Sequence, residues 1–370
     1  MTNKLDRRNF FKRTGVVAAG ATAALATPAL AQSMPELKWR MTSSFPKALD
    51  TIFGAAETFS KYVSEATDGK FQIQVFAANE IVPGLEAANA VGAGTVEMCH
   101  TASYYYWGKD PTFAFGTAVP FGLNQRMQDA WMYEGGGIDL MNEFYVKHSI
   151  FGLPMGNTGA QMGGWYRKEI KTVEDIKGLK MRIGGFGGAV LSKLGGVPQQ
   201  IAGGDIYPAL ERGTIDGAEW VGPYDDEKLG FNKVAPVYHY PGWWEGQAML
   251  HLFINKAKWD SLPKVYQAAV KAAAQTANTH MMAKYDVGNA AALRRLVAAG
   301  TELRPFSEAI LDACFKATVE TCDEISAKNE GFKKVYDAMK VQRADNYLWF
   351  QLSENTFDTY MMIQQRKKTL

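Results

Sequence analysis

The stretch that decides the fold is GGDIYPALERGTIDGAEWVGPY, residues Gly203 to Tyr224. Its first half predicts a short helix with Asp205 as the N-cap and Pro208 in the first turn, where a missing N–H costs nothing. Gly213 predicts the end of that helix, because glycine readily adopts the left-handed conformation that commonly closes helices.

The second half of the stretch predicts a strand that carries Glu219 and Trp220 to its carboxyl end. Thr214, Ile215 and Ala218 supply the strand character. Open α/β sheets bind ligands beyond the carboxyl ends of their strands, so Glu219 and Trp220 are candidates for a binding site. The segment alone leaves a second interpretation open, in which Glu219 is a surface carboxylate beside a packed tryptophan.

Strand and helix patterns alternate along the chain, which is typical of a parallel α/β domain. The first of them are strands at 37–45, 71–76 and 95–100 and helices at 50–67 and 83–93. The layout of GLEAANAVGAGTVEM (84–98) is repeated at 207–220, as a short helix, a Gly-Thr step and a strand. The sequence therefore predicts an α/β protein with two lobes of similar design.

Four further segments are predicted to connect the lobes or to follow them. Ile150–Arg167 and Ala248–Ile254 are candidate crossing strands, and the helical pattern of 263–299 would extend to about 50 Å, longer than one lobe is wide. Residues 307–365 are predicted to be helical. Their apolar surface near the end comprises Tyr347, Trp349, Phe350, Phe357, Tyr360, Met361 and Met362.

Residues 1–31 predict an export signal. Arg7 and Arg8 before a weakly apolar run are typical of twin-arginine signals, and Ala29-Leu30-Ala31 predicts cleavage before Gln32. The chain has 40 Lys and Arg residues and 38 Asp and Glu residues, and the signal contains five of the basic residues and one of the acidic residues. The chain after residue 31 therefore has a net charge of −2. That charge excludes a global basic field for nucleic acid or anionic lipid. After residue 31 no apolar run approaches the roughly 18 residues of a membrane span.

The three cysteines predict neither a disulfide nor a metal site. Cys314 and Cys322 lie eight residues apart in a helical pattern, about 12 Å along the axis and too far for a disulfide. Cys99 lies in a strand-like run beside His100, where core packing is the simpler interpretation. The chain contains no CxxC motif.

Several segments end at polar positions that are candidates to face one cleft. They are Tyr104–Tyr106, Asn157 with Gln161, Arg182, Glu219 with Trp220, and Glu245. Arg182 ends a predicted strand and precedes two glycines that leave room for its guanidinium. Its planar fork matches a carboxylate bidentately. An ordinary salt bridge is the alternative interpretation of Arg182.

Glu219 and Glu245 would repel each other in one cleft unless a cation lay between them. With the Gln161 amide oxygen and the Trp220 carbonyl, they would form an all-oxygen set suited to Na⁺ or Ca²⁺. A solvated Glu245 is the alternative.

Six motifs carry a resemblance to a known family. They are SSFPKALDT (43–51), YYYWGKDPTFA (104–114), NTGAQMGGW (157–165), TVEDIKGLKMRI (172–183), EWVGPYDDEKLGF (219–231) and YHYPGWWEG (238–246). Together with GGDIYPALERGTIDGAEW, the chain resembles the solute-binding subunits of tripartite ATP-independent periplasmic (TRAP) transporters of the DctP-like family. It is most similar to the branch that binds 2-oxo and 2-hydroxy monocarboxylates.

The resemblance implies a periplasmic binding protein fold with two α/β lobes, a ligand cleft, crossing hinge strands and a lobe-spanning helix. We expect residues 32–156 and 247–287 in lobe I, and residues 157–246 and 288–370 in lobe II with the C-terminal helices. It further implies that Arg182 binds the solute carboxylate. The implied cation ligands are Gln161, Glu219, Trp220 and Glu245.

The resemblance also implies that Asn157 and a tyrosine contact the solute's oxygens. Tyr105 is the preferred tyrosine, with Tyr104 and Tyr106 as alternatives. Gln161 and Trp220 are expected to contact solute as well as cation.

The function implied is capture of a pyruvate-, 2-oxobutyrate- or lactate-type solute in the periplasm and its delivery to a TRAP membrane permease, without catalysis. The alternative is an exported metal-dependent lyase or hydrolase acting on oxo acids, although no nucleophile–base pair or dinucleotide loop is visible. The apolar segment Asn346–Gln365 predicts a homodimer, with packing onto its own lobe as the alternative.

Overall fold

The computed structural model describes residues 34–369, so the predicted signal at 1–31 lies outside the described residues. The strands are β1 (Leu37–Ser43), β2 (Phe71–Phe76), β3 (Met98–Thr101), β4 (Ile150–Asn157), β5 (Trp165–Tyr166), β6 (Lys180–Arg182), β7 (Val197–Gln199), β8 (Gly217–Ala218), β9 (Val237–Tyr240), β10 (Met249–Asn255) and β11 (Glu302–Pro305).

The α-helices are α1 (Ile52–Ala66), α2 (Ala87–Gly92), α3 (Gln125–Tyr133), α4 (Gly137–Tyr145), α5 (Gly185–Lys193), α6 (Gly203–Glu211), α7 (Pro223–Leu229), α8 (Lys256–Ser261), α9 (Lys264–Ala298), α10 (Glu308–Ser326), α11 (Glu330–Leu352) and α12 (Glu354–Arg366). The predicted α/β class is confirmed.

The first sheet has the order β2-β1-β3-β10-β4. β1 runs parallel to β2 and β3, and β10 runs antiparallel to β3 and β4. Helix α1 covers this sheet through contacts with β2 and β4, with Phe59 and Val63 fully buried. This burial follows from the apolar stripe on one face of the helix.

The second sheet has the order β11-β9-β5-β8-β6-β7. Its strand β8 is only Gly217–Ala218, and Ala218 pairs in parallel with Arg182 of β6. Glu219 and Trp220 therefore follow the carboxyl end of β8, as the sequence predicted. Glu219 is fully buried, so the alternative of a surface carboxylate is wrong.

Helix α6 differs from its prediction at its start. It begins at Gly203 with Ala202 as the N-cap, so Asp205 is the third helical residue and Pro208 lies inside the helix. Asp205 still stabilises the helix from its first turn through the macrodipole, whereas Pro208 removes one intrahelical hydrogen bond. Gly213 adopts a left-handed φ of 72° and follows the helix end, as predicted.

The chain passes between the two sheets at neighbouring positions. β4 ends at Asn157, which pairs with Met249 at the start of β10, and all strands between these two residues belong to the second sheet. Helix α9, with 35 residues or about 50 Å, contacts β4 and α1 as well as α7. The residue bounds of the two lobes remain a prediction.

Helices α11 and α12 expose an apolar patch. Its residues are Tyr347, Leu348, Trp349, Leu352, Phe357, Tyr360 and Met362. Phe350 differs from the prediction, because it packs partly against the core and under the Arg126 guanidinium. Cys99, Cys314 and Cys322 are free and buried, and Cys314 and Cys322 both lie on α10. Among residues 34–369, no helix has the length and apolar character to span a membrane.

Candidate functional site

Backbone hydrogen bonds hold together the loop segments that follow β4, β8 and β9. The Gln161 N–H donates to the Glu245 carbonyl (3.2 Å), and the next N–H along the chain donates to the Val221 carbonyl (3.0 Å). The Glu219 N–H donates to the Arg182 carbonyl (3.2 Å). The structure therefore brings together the segments that carry Gln161, Arg182, Glu219 and Glu245.

A glycine permits this close approach. Gly164 has a φ of +84°, and a Cβ atom there would lie 2.8 Å from the Ala218 carbonyl oxygen. Both the left-handed backbone and the absence of a side chain are required at this position. Gly164 therefore lets the segment after β4 lie directly against β8 and its site residues.

Arg182 is fully buried and almost fully engaged by the protein. Its Nε donates to the Ile201 carbonyl (3.0 Å), and its Nη1 donates to the Glu219 carbonyl (2.9 Å) and also pairs with Glu219 Oε1. The guanidinium lies over the Trp220 ring, 5.1 Å from the centroid. Nη2 has no hydrogen-bond partner. The Nη2 group of the guanidinium is therefore left to donate a hydrogen bond to an anion.

The carboxylates of Glu219 and Glu245 are both buried. Burial raises the pKa of Glu219, against the opposing attraction of Arg182 and a hydrogen bond from the Gly184 N–H (2.9 Å). Burial also raises the pKa of Glu245 well above its usual range, and repulsion from Glu219 raises it further. Glu245 is therefore not solvated, and both carboxyls resist ionisation unless a cation is close.

Three buried side-chain oxygens of this region have no hydrogen-bond partner: Gln161 Oε1, Glu219 Oε2 and Glu245 Oε2. Each such oxygen costs about 1–3 kcal/mol when it is left unpaired. Within residues 34–369, no group of three or more His, Cys, Asp or Glu side chains is placed to hold a metal ion. The donor set here is two carboxylates and one amide, which fits a hard cation that accepts neutral oxygens.

Two of the three tyrosines face the site. Tyr104 and Tyr105 line the cavity with their rings 5.1 Å apart in an edge-on contact. Tyr106 turns away, because its hydroxyl accepts from the Ala88 N–H (2.7 Å). The two glycines after Arg182 make room for Tyr104 rather than for the guanidinium, since a Cβ atom at Gly184 would lie 2.5 Å from its ring.

Burial keeps both tyrosine hydroxyls protonated. It raises the pKa of Tyr104 well above the usual range, with Glu245 adding to the effect. It raises the pKa of Tyr105 to about 12, despite the opposing influence of Arg182. Two neutral hydroxyl groups therefore lie at the cavity, that of Tyr104 beside Glu245 and that of Tyr105 beside Arg182.

The cavity is small, with a volume of about 10 Å³ accessible to water. That volume holds about one water molecule. Its lining comprises Phe45, Ile52, Ala102, Tyr104, Tyr105, Thr158, Gln161, Arg182, Trp220, Val221, Ala248 and Leu250. The lining thus combines polar and apolar side chains.

Asn157 lies outside this lining. Its amide donates to Gln247 Oε1 (2.8 Å) and accepts from the Gly159 N–H (2.9 Å). A contact between Asn157 and a solute remains a prediction. Sequence reasoning missed Phe45, Ile52 and Thr158 as lining residues. Thr158 follows Asn157 directly, but no pattern distinguishes it from an ordinary loop threonine.

The sequence matches the bacterial extracellular solute-binding proteins of family 7 (DctP) over residues 42–329. It is 47% identical to the monocarboxylate 2-oxoacid-binding periplasmic protein of Nostoc sp., across 97% of this chain and 100% of that protein.

Two solved structures are similar throughout. A TRAP transporter solute-binding protein from Bordetella bronchiseptica, a mixed-occupancy dimer with copurified calcium and picolinate in its active site, is 49% identical. The two structures superpose with a TM-score of 0.89, and the match covers 90% of this chain and 99% of the Bordetella chain. A TRAP periplasmic solute-binding protein from Pseudoalteromonas atlantica, with bound sodium and pyruvate, is 39% identical with a TM-score of 0.84 and covers 87% and 98%.

Proposed function

Because the chain belongs to the DctP family of bacterial extracellular solute-binding proteins, we propose that it captures a small 2-oxo or 2-hydroxy monocarboxylate. Pyruvate, 2-oxobutyrate and lactate are the candidate solutes. A bridging Na⁺ or Ca²⁺ is held with the solute, which is delivered to a TRAP-type membrane permease. The relatives' periplasmic names support capture in the periplasm.

The observation that carries this proposal is that the buried atoms without hydrogen-bond partners include both a donor and several acceptors. Arg182 Nη2 is a donor without an acceptor, while Gln161, Glu219 and Glu245 each present an acceptor oxygen without a donor. A carboxylate solute would satisfy the donor, and a cation would satisfy the oxygens. A solute with a second oxygen next to its carboxylate could reach both.

The residues that would hold the cation are Gln161, Glu219, Glu245 and the Trp220 carbonyl. The carbonyls on either side of Trp220 are already engaged, that of Glu219 by Arg182 and that of Val221 by a backbone N–H. When bound, the cation supplies positive charge that offsets the two carboxylates. Tyr104 and Tyr105 donate to the remaining solute oxygens, and the apolar wall around Phe45 and Leu250 excludes water.

The family is one of solute-binding proteins rather than enzymes, and we propose no lyase or hydrolase activity for this chain. Calorimetry of residues 32–370 with pyruvate in the presence of CaCl₂ or NaCl tests the proposal. It should show saturable binding heat while the pyruvate concentration stays constant over hours. Loss of pyruvate would support the enzyme instead, and no heat with pyruvate, 2-oxobutyrate or lactate would contradict the proposed solute class.

Twin-arginine export and homodimerisation are further parts of the proposal. The similar protein from Bordetella bronchiseptica forms a dimer in its crystal, and the exposed apolar patch on α11 and α12 is of a kind that usually meets a partner.

Fusing residues 1–31 to a reporter that folds in the cytoplasm, with and without Arg7→Lys and Arg8→Lys, tests the export route. Export that survives the double change would contradict it.

A further inference from the structure

Asp225 is a buried carboxylate that joins three helices. It lies on α7, and its Oδ1 accepts from the Thr51 hydroxyl (2.5 Å) while its Oδ2 accepts from the Tyr285 hydroxyl (2.6 Å) of α9. All three side chains are fully buried. Residues 174 positions apart in the chain are thereby tied together.

Thr51 occupies the N-cap position of α1, where a threonine hydroxyl normally accepts from a helix N–H. Here it makes no such hydrogen bond, and it donates to Asp225 instead. Thr51 itself has helical backbone angles, and the Phe53 N–H donates to the Leu49 carbonyl (2.8 Å). The Thr51 hydroxyl can therefore donate to Asp225 without leaving that N–H unpaired.

The neighbouring carboxylate anchors α7 on the other side. Asp226 accepts from Trp165 Nε1 (2.9 Å), the Tyr238 hydroxyl (2.7 Å) and the Val221 N–H (3.2 Å). Trp165 and Tyr238 lie on β5 and β9 of the second sheet. Asp226 therefore fixes α7 to the second sheet, and Asp225 connects that unit to α1, which covers the first sheet.

The contact lies at the edge of the cavity. Ile52, directly after Thr51, lines the cavity from one side, and Val221, held by Asp226, lines it from the other. The hydrogen bond between Thr51 and Asp225 thus joins the two segments that carry these walls. A second, exposed set of contacts joins Asp50 to Tyr224, Lys228 and Lys284, but such surface pairs contribute little.

We propose that the Thr51–Asp225 hydrogen bond is a clasp that holds the cleft closed over its solute, with Asp225 as a positioning residue that touches no solute. This inference rests on the proposed function. When the cleft opens, Asp225 keeps its hydrogen bond from the Tyr285 hydroxyl, and a water molecule takes the place of the Thr51 hydroxyl. The clasp therefore stabilises the closed state alone, and its loss should speed solute release more than it slows solute entry.

The test compares Thr51→Val, which removes only the hydroxyl, with the matched control Thr318→Val, whose hydroxyl donates to Cys314 within α10 (2.8 Å). Stopped-flow tryptophan fluorescence with pyruvate and saturating CaCl₂ gives both rate constants. Thr51→Val should raise the dissociation rate about tenfold or more, as expected for one hydrogen bond to a charged group. The association rate and the melting temperature of the ligand-free protein should match the control, whereas a purely structural role would lower that temperature.

Spin labels at Lys61→Cys on α1 and Glu211→Cys on α6 measure closure independently of binding heat. Both positions are exposed, and Cys99, Cys314 and Cys322 are buried. Thr51→Val should lower the fraction of short label distances. If the wild-type protein binds no pyruvate, the proposed function fails. The clasp is then tested by the label distances alone, compared between the wild-type protein and Thr51→Val. Equal dissociation rates and equal distances in Thr51→Val and Thr318→Val would overturn it.

Discussion

Arg182 and Glu219 form an ion pair in which both side chains are fully buried and each keeps one polar atom without a partner, Nη2 and Oε2. A buried ion pair is by itself weak evidence for stability, because desolvation offsets its attraction. The two unpaired atoms indicate a different purpose. One can donate to an anion and the other can bind a cation, so the pair is arranged for a ligand that brings both.

Arg182→Lys should weaken pyruvate binding by about 2 kcal/mol or more, because lysine keeps the charge but cannot present a second parallel N–H. Calorimetry measures the change. The matched control is Arg167→Lys, since Arg167 donates to the Leu210 carbonyl away from the cavity. Equal affinity in the two variants would mean that Arg182 is only structural.

Gly164→Ala should destabilise the protein by several kcal/mol and weaken pyruvate binding. The new Cβ would meet the Ala218 carbonyl at 2.8 Å, and the backbone has a φ of +84°. Gly69→Ala is the control, because Gly69 has a φ of +74° and open space around it, so only the backbone strain of about 1 kcal/mol applies. Urea unfolding of both variants checks the difference, and similar losses would contradict the close packing.

Cation binding should release protons. Burial raises the pKa of both Glu219 and Glu245, so without a cation these groups retain protons at a pH where free glutamate has lost them. Because the cation binds the ionised form, its affinity should rise with pH and fall as pH decreases through the raised pKa values. Ca²⁺ titrations in two buffers of different ionisation enthalpy should give different heats. Glu245→Gln should reduce that difference, and identical heats for the wild type would be inconsistent with raised pKa values.

The apolar patch of α11 and α12 should hold two chains together. Leu352 and Phe357 are 69% and 65% exposed, and burying them between copies removes apolar area from water. Leu352→Glu with Phe357→Glu should convert a dimer to a monomer in light scattering. Val287→Glu is the control, since Val287 is 81% exposed on α9 and should not affect the mass. A wild-type monomer would end this proposal.

The sequence predicts those parts of the site that depend on local rules. Gly213 after α6 and the short strand β8 deliver Glu219 and Trp220 where the pattern of glycine and β-branched residues indicated. Contacts between distant residues follow no such rule. The pairing of Thr51 with Asp225 and that of Asn157 with Gln247 depend on how the two sheets meet, so neither could be predicted from the chain. Asp205 failed as an N-cap because the helix starts at Gly203.

The central claim is that one cation and one carboxylate solute share the site, and their mutual dependence tests it most directly. Protein stripped with a chelator in a sodium-free, organic-cation buffer is titrated with pyruvate, and Ca²⁺ and Na⁺ are then restored separately. We expect pyruvate affinity to fall at least about tenfold in the stripped protein and to return with one of the ions. Pyruvate should strengthen binding of that ion by the same factor. Full-strength pyruvate binding to the stripped protein would contradict the shared site.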